Sequence, residues 1–215
     1  MSKTNKKPAA GARANRTRAE ILNAAEQLFA SRGFAATRLE DVAEEVGVTR
    51  AALFYHFKDK QMLFEAMIAN AFETLNTDLH DLLDATDKGI AERLRLAAEA
   101  WVNAILSRPT LARLIMRFVA DGYEQAPRNI FWDDQQLPRK FFDLFQEGRK
   151  SGELKPLNSD PFHAASAIVG TTVFYVGALS TLMPTDQFEP LAPEQAAAHK
   201  AETLRMLCNL LGIES

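Results

Sequence analysis

Residues 37–67 read TRLEDVAEEVGVTRAALFYHFKDKQMLFEAM, and their apolar positions recur with a helical period that Gly47 and the Lys58-Asp59 pair interrupt. Thr37, Arg38, Leu39 and Glu40 match a capping box, which predicts a short helix with Leu39, Val42, Ala43 and Val46 on its inward face. Gly47 supplies the left-handed stop. Thr49 is placed to cap a third helix, Arg50 to His56, and Asp59 to cap a fourth that buries Met62, Leu63, Ala66, Met67, Ala71, Leu75 and Leu79. Two short helices joined by a tight glycine turn, the second opening on Thr-Arg-Ala-Ala, form the helix-turn-helix arrangement, whose second helix enters a DNA major groove.

Upstream, Thr17, Arg18, Ala19 and Glu20 match another capping box, predicting a helix that buries Ile21, Leu22, Ala25, Leu28 and Phe29 and ends at Gly33. The first 18 residues carry Lys3, Lys6, Lys7, Arg13, Arg16 and Arg18 without an acid. That is the electrostatic footprint of an arm that seeks phosphate. The imbalance extends further: residues 1–60 hold 11 Lys+Arg against 7 Asp+Glu, net +4, and the rest holds 14 against 21, net −7. A basic head therefore precedes an acidic body.

Downstream, breaks near residues 84–87, 107–109, 121–127, 152–160 and 184–193 delimit five more helices. They run from about Lys88 to Leu106, Pro109 to Ala120, Arg128 to Ser151, Pro161 to Met183 and Pro193 to Leu211. The expected fold is all-α, with about nine helices. The segment from Pro161 to Met183 is apolar nearly all round and contains Gly170, Gly177 and Ala178, so it needs cover on more than one face. With the last helix, whose Leu204, Leu207, Leu210 and Leu211 share a side, it predicts a four-helix homodimer interface about a twofold axis. Of the 14 phenylalanines, Phe118, Phe131, Phe141, Phe142, Phe145, Phe162 and Phe174 fall in this second part. Phe118, Phe141, Phe145 and Phe174, with Trp101, Tyr175, Thr172 and Arg117, are candidates for an apolar effector pocket with a few polar anchors.

The composition is that of a folded globular protein, 47% hydrophobic and 25% charged over 215 residues. No apolar run spans a bilayer and the N-terminus lacks an apolar signal core, so neither membrane insertion nor export is expected. The one cysteine, Cys208, has no intramolecular disulfide partner and no zinc-site spacing around it, which points to a cytoplasmic location. Catalytic signatures such as G-x-S-x-G, H-E-x-x-H and a phosphate-binding glycine loop are missing, and His56, His80, His163 and His199 fall on separate helices. No catalytic residue, metal ligand or cofactor is expected. Two other classes compete with a regulator: a ligand-free architectural DNA binder, and a helical enzyme or carrier in which the hairpin is incidental.

Gly33-Phe34 and the stretch from Thr37 to Met67, with Ala43 to Gly47 spacing and the Leu53, Phe57, Lys60 pattern, resemble the DNA-binding domain of the TetR family of transcriptional regulators. The resemblance covers about the first third of the chain. It implies that Thr37 and Arg38 meet the DNA backbone, that Thr49, Arg50, Ala51 and Tyr55 face the groove, and that His56 and Lys60 hold phosphates. Arg50 also has the fork that pairs with guanine O6 and N7. Phe54 stands where the family most often has tyrosine, so the usual hydroxyl contact to phosphate is lacking. The implied organisation is a flexible basic arm at 1–15, a three-helix DNA-binding domain at 16–60 and an effector-binding and dimerisation domain at 61–215. The implied function is a ligand-responsive repressor on a palindromic double-stranded operator.

Overall fold

The computed structural model describes residues 10–121, 137–183 and 188–213, all of it helical or connecting chain. Ten helical segments occur among them: α1 (Ala10–Ala36), α2 (Leu39–Val46), α3 (Arg50–His56), α4 (Lys60–Asp84), α5 (Ile90–Ser107), α6 (Pro109–Asp121), α7 (Leu137–Ser151), α8 (Pro161–Gly177), α9 (Leu179–Leu182) and α10 (Pro193–Leu211). The expected eighth helix divides at Ala178 into α8 and the single turn of α9, so the all-α architecture of about nine elements stands. The start expected at Arg128 and Phe131, and the arm lysines Lys3, Lys6 and Lys7, lie outside the described residues.

Both expected capping boxes are corrected. Helix α1 is already running at Ala10, because the Ala- and Arg-rich chain ahead of Thr17 favours helix, and Glu20 pairs with Arg16 at 2.9 Å instead of capping. Residues 10–15, assigned to the arm from sequence, are therefore helical. Gly33 does break the helix, with φ 80° and ψ 172°. The second box sits one residue later than expected: Arg38 is the N-cap, and its N–H donates to the Asp41 carboxylate at 3.2 Å. Thr37 turns inward, donating to the carbonyls of Gly33 at 2.8 Å and Leu28 at 3.3 Å. This one-residue shift releases Glu40 from capping. At the other end Gly47, at φ 72°, closes α2 as expected, with the Val48 N–H on the Ala43 carbonyl.

The chain divides into two compact units between Ala71 and Phe72, within α4, beyond the boundary expected at residue 60. The first turns of α4 belong with the head because Phe64 meets Phe29 and Phe34 edge-on, each with ring centroids 5.0 Å apart. Ile21, Leu22, Val42, Leu53, Leu63 and Met67 complete this small core. At roughly 1.5 to 3 kcal/mol for each large buried side chain, it fixes the short helices that would not persist alone.

In the second unit, α5, α7, α8 and α10 enclose Leu94, Val102, Leu144, Phe145, Ile168, Leu207 and Leu211. The Glu153 carboxylate caps α5 from a distance, accepting the Ile90 N–H at 2.7 Å. Lys140 of α7 reaches α4, at 2.5 Å from the Asp84 carboxylate and 3.1 Å from His80 Nδ1. This bond from Lys140 holds the Asp84 carboxyl below the usual aspartate range.

Candidate nucleic-acid interface

Helix α3 is built to expose one side. Thr49 Oγ1 accepts the Ala52 N–H at 3.2 Å, Leu53 is wholly buried and Phe57 nearly so, and together these fix the rotation of a seven-residue helix. The opposite side then carries Arg50, Ala51, Phe54 and Tyr55 into solvent, with Tyr55 82% exposed. Thr49, Arg50, Ala51 and Tyr55 are thus all exposed. His56 is half-buried, its ring edge-on to Tyr55 at 5.2 Å. Arg18 of α1 sits over the Phe57 ring at 5.3 Å.

Other expected contacts are placed differently. Thr37 is 1% exposed and its hydroxyl is already bonded, so only its neighbouring backbone can meet phosphate. Arg38 next to it is exposed. Lys60 Nζ donates to the Ala35 carbonyl at 3.1 Å and stands 4.4 Å from the centre of the Phe34 ring, stapling the start of α4 to the end of α1. Its partial burial lowers its pKa from the ordinary lysine value.

Two residues outside the site expected from sequence touch Arg50 directly. Glu40 of α2 forms an ion pair with Arg50 Nε at 3.1 Å, and Phe54 lies under the guanidinium at 5.2 Å. The second contact was legible, because positions 50 and 54 are helical neighbours. The first was hidden by assigning Glu40 to a cap.

Of the residues expected to line an effector pocket, Trp101, Phe141 and Phe145 share one core and the others have surroundings of their own. Phe145 belongs to the second core and Phe141 and Trp101 pack against it, with the Trp101 indole N–H buried and unpartnered. Thr172 is buried, its hydroxyl donating to the Ile168 carbonyl at 2.9 Å. Tyr175 donates to the Gln195 carbonyl at 3.2 Å and stacks on His199 at 3.8 Å; burial raises its pKa. Phe174 faces solvent, as does Arg117, and Phe118 is half-buried. Phe145 and Thr172 are thus core residues of the single chain. Among the described residues no group of three His, Cys, Asp or Glu is placed to hold a metal ion, and no helix is long and apolar enough to cross a membrane.

A capped helix-turn-helix presenting an arginine and two aromatic rings defines a DNA-binding domain. Residues 21–67 match the family described as Bacterial regulatory proteins, tetR family. The regulator TtgR of Pseudomonas putida is 48% identical over 61 residues, which are 28% of this chain and 29% of that protein. The match thus spans less than a third of that relative. The repressor KstR2 of Mycobacterium tuberculosis is 26% identical over 144 residues, 66% of this chain and 71% of that protein. The solved structure described as the ketosteroid transcriptional regulator KstR2 has the same fold, with a TM-score of 0.70 at 24% identity, covering 92% of this chain and 95% of that one.

Proposed function

We propose that this protein is a homodimeric, ligand-responsive transcriptional repressor. Its two α3 helices enter successive major grooves of a palindromic operator, with half-sites about 34 to 36 Å apart or a multiple of that. The observation that carries this reading is the outward surface of α3, where Thr49, Arg50, Ala51 and Tyr55 stand clear of a core that anchors Leu53 and Phe57. Arg50 reads a base edge; Arg38, Lys60, His56 and the backbone beside Thr37 meet phosphates. The second unit binds a small apolar or amphipathic effector through residues drawn from Trp101, Phe141, Tyr175, Arg117 and Phe118. The effector releases the operator by binding more tightly to the form of the dimer that does not fit DNA. One structural relative is described as a ketosteroid regulator, which is in keeping with an apolar effector. This protein acts in the cytoplasm.

The test is selection of duplexes from a randomised pool by the full-length chain, followed by anisotropy titrations at several salt concentrations. A palindromic consensus bound by two chains, with log affinity falling steeply against log salt, is expected. Recovery of no common sequence overturns the reading.

A further inference from the structure

Arg50 is not a free cation in this structure. Glu40 stands 3.1 Å from its Nε, with side chains 68% and 51% exposed for Arg50 and Glu40 respectively, and the Phe54 ring supports its guanidinium plane at 5.2 Å. All three side chains are on the same small domain, on α2 and α3, and none is needed to hold the core. Glu40 does no capping, since the α2 cap is made by Asp41. Phe54 has no hydroxyl to offer a phosphate.

Resting on the DNA-binding reading above, we infer that Glu40 and Phe54 are specificity-determining residues that make Arg50 a base reader and prevent it from acting as a general phosphate binder. The physical reason lies in how each kind of contact depends on charge. Attraction to the DNA backbone follows net charge and is felt at any register, and a carboxylate beside the guanidinium cancels much of it. A forked hydrogen-bond pair to guanine depends instead on orientation, which the Glu40 contact and the Phe54 ring restrict in advance. Glu40 therefore weakens binding to arbitrary sequence more than binding to the operator, because its own charge is repelled by phosphate wherever Arg50 lacks a base to offset the repulsion. Phe54 acts only through orientation.

The experiment uses the full-length protein, a duplex it selects from a randomised pool, and a scrambled duplex of equal length. For Glu40→Gln, the scrambled duplex should be bound several-fold more tightly, with a salt slope steeper by up to about 0.9, one phosphate contact. The preference at the base pair that Arg50→Ala identifies should relax. For Phe54→Leu, scrambled binding should stay unchanged while that same preference weakens, and Phe54→Tyr, which keeps the ring, should restore it. In an Arg50→Ala background both Glu40→Gln and Phe54→Leu should change the preference no further. A Glu40→Gln protein with an unaltered ratio of operator to scrambled affinity overturns the inference, and so does a change in base preference that persists without Arg50. If the wild-type chain selects no sequence, the DNA-binding reading itself fails. If it does select one and Glu40→Gln matches it, only the present inference fails. Glu40 and Phe54 are partly exposed, and unchanged helical circular dichroism and melting establish that the variants are folded.

Discussion

Helices α3 and α8 both hold large apolar side chains in solvent, in very different company. On α3, Phe54 and Tyr55 stand beside Arg50, with Glu40 adjoining. On α8, Phe162, Val169, Gly170 and Phe174 form an exposed stripe at helical spacing, and the helix has no Asp, Glu, Lys or Arg at all. A ring next to a cation suits a polyanion that also offers flat, hydrogen-bonding base edges. An uncharged apolar stripe has no such use, and suits a surface like itself. Exposure of an aromatic side chain thus takes its meaning from the charges around it.

Placing a charge in the α8 stripe should have the largest effect. Gly170 faces open space, so Gly170→Glu fits the single chain, whereas two copies about a twofold axis would bury opposed carboxylates. The expected product is a folded monomer by sedimentation velocity, with operator affinity lowered at least about 100-fold because each chain then holds one half-site alone. Gly177 is not equivalent. Although the sequence suggests it as an interface position, a Cβ there would lie 2.5 Å from Met116 Sδ and 3.5 Å from Ala112 Cβ, so it packs on α6 of its own chain. Gly177→Glu should therefore destabilise the second unit, by roughly 1 to 3 kcal/mol or more from overpacking. A dimeric Gly170→Glu protein with full operator affinity would remove α8 from the interface.

On α3, Arg50→Ala should cost roughly 1 to 3 kcal/mol at one base pair per half-site, about fivefold to 150-fold in affinity. Anisotropy against a panel of single-base operator variants measures it. Equal losses on operator and scrambled duplex would make Arg50 a phosphate contact and α3 a less selective surface. Lys60 cannot be tested as cleanly, since its bond to Ala35 and its place on Phe34 give it a structural role as well.

The two helices also differ in how much of each could be read in advance. The start of α3 follows from short-range signals, the left-handed Gly47 that closes α2 and a capping threonine, which operate over a few residues whatever lies elsewhere. The two Thr-x-x-Glu boxes failed because an acid three residues on is a pattern with rival uses: Glu20 joins Arg16 and Glu40 joins Arg50. The direction of α10 was misread for a different reason. Leu207 and Leu211 fill the core shared with α5 and α8, and Ala197, Ala198, Ala201 and Arg205 face outward. A helix beside one as uniformly apolar as α8 has no sequence signal that says which neighbour its leucines serve.

The inward side of α8 gives a pH test. Tyr175 stacks on His199, a buried residue of α10 whose Nε2 lies 3.4 Å from Thr203 Oγ1, and burial lowers the His199 pKa from 6.5. The folded form thus disfavours the proton. The stabilisation is fully present above 6.5 and is lost as pH falls through the lower folded-state value. Melting temperature should drop as pH is lowered from neutral to mildly acidic, and His199→Gln should show a smaller drop. Equal drops would assign the acid sensitivity to other groups.

The smallest effect concerns residues 1–9, which carry Lys3, Lys6 and Lys7 and precede α1. The cut belongs before Ala10, because removing residues 10–15 as well would shorten α1. Deleting residues 1–9 should leave the base preference proposed for α3 and the oligomer proposed for α8 unaltered, since the deleted residues supply charge without apolar periodicity. What changes is the long-range attraction. If these lysines meet phosphates, the slope of log affinity against log salt becomes shallower by about 0.9 for each phosphate no longer neutralised, measured from about 50 to 200 mM salt. Operator and scrambled duplex should weaken equally, because a phosphate contact carries no sequence information. An unchanged slope would show that the basic head's reach ends with α1, and a loss confined to the operator would show that these residues read bases, making α3 one of two readers.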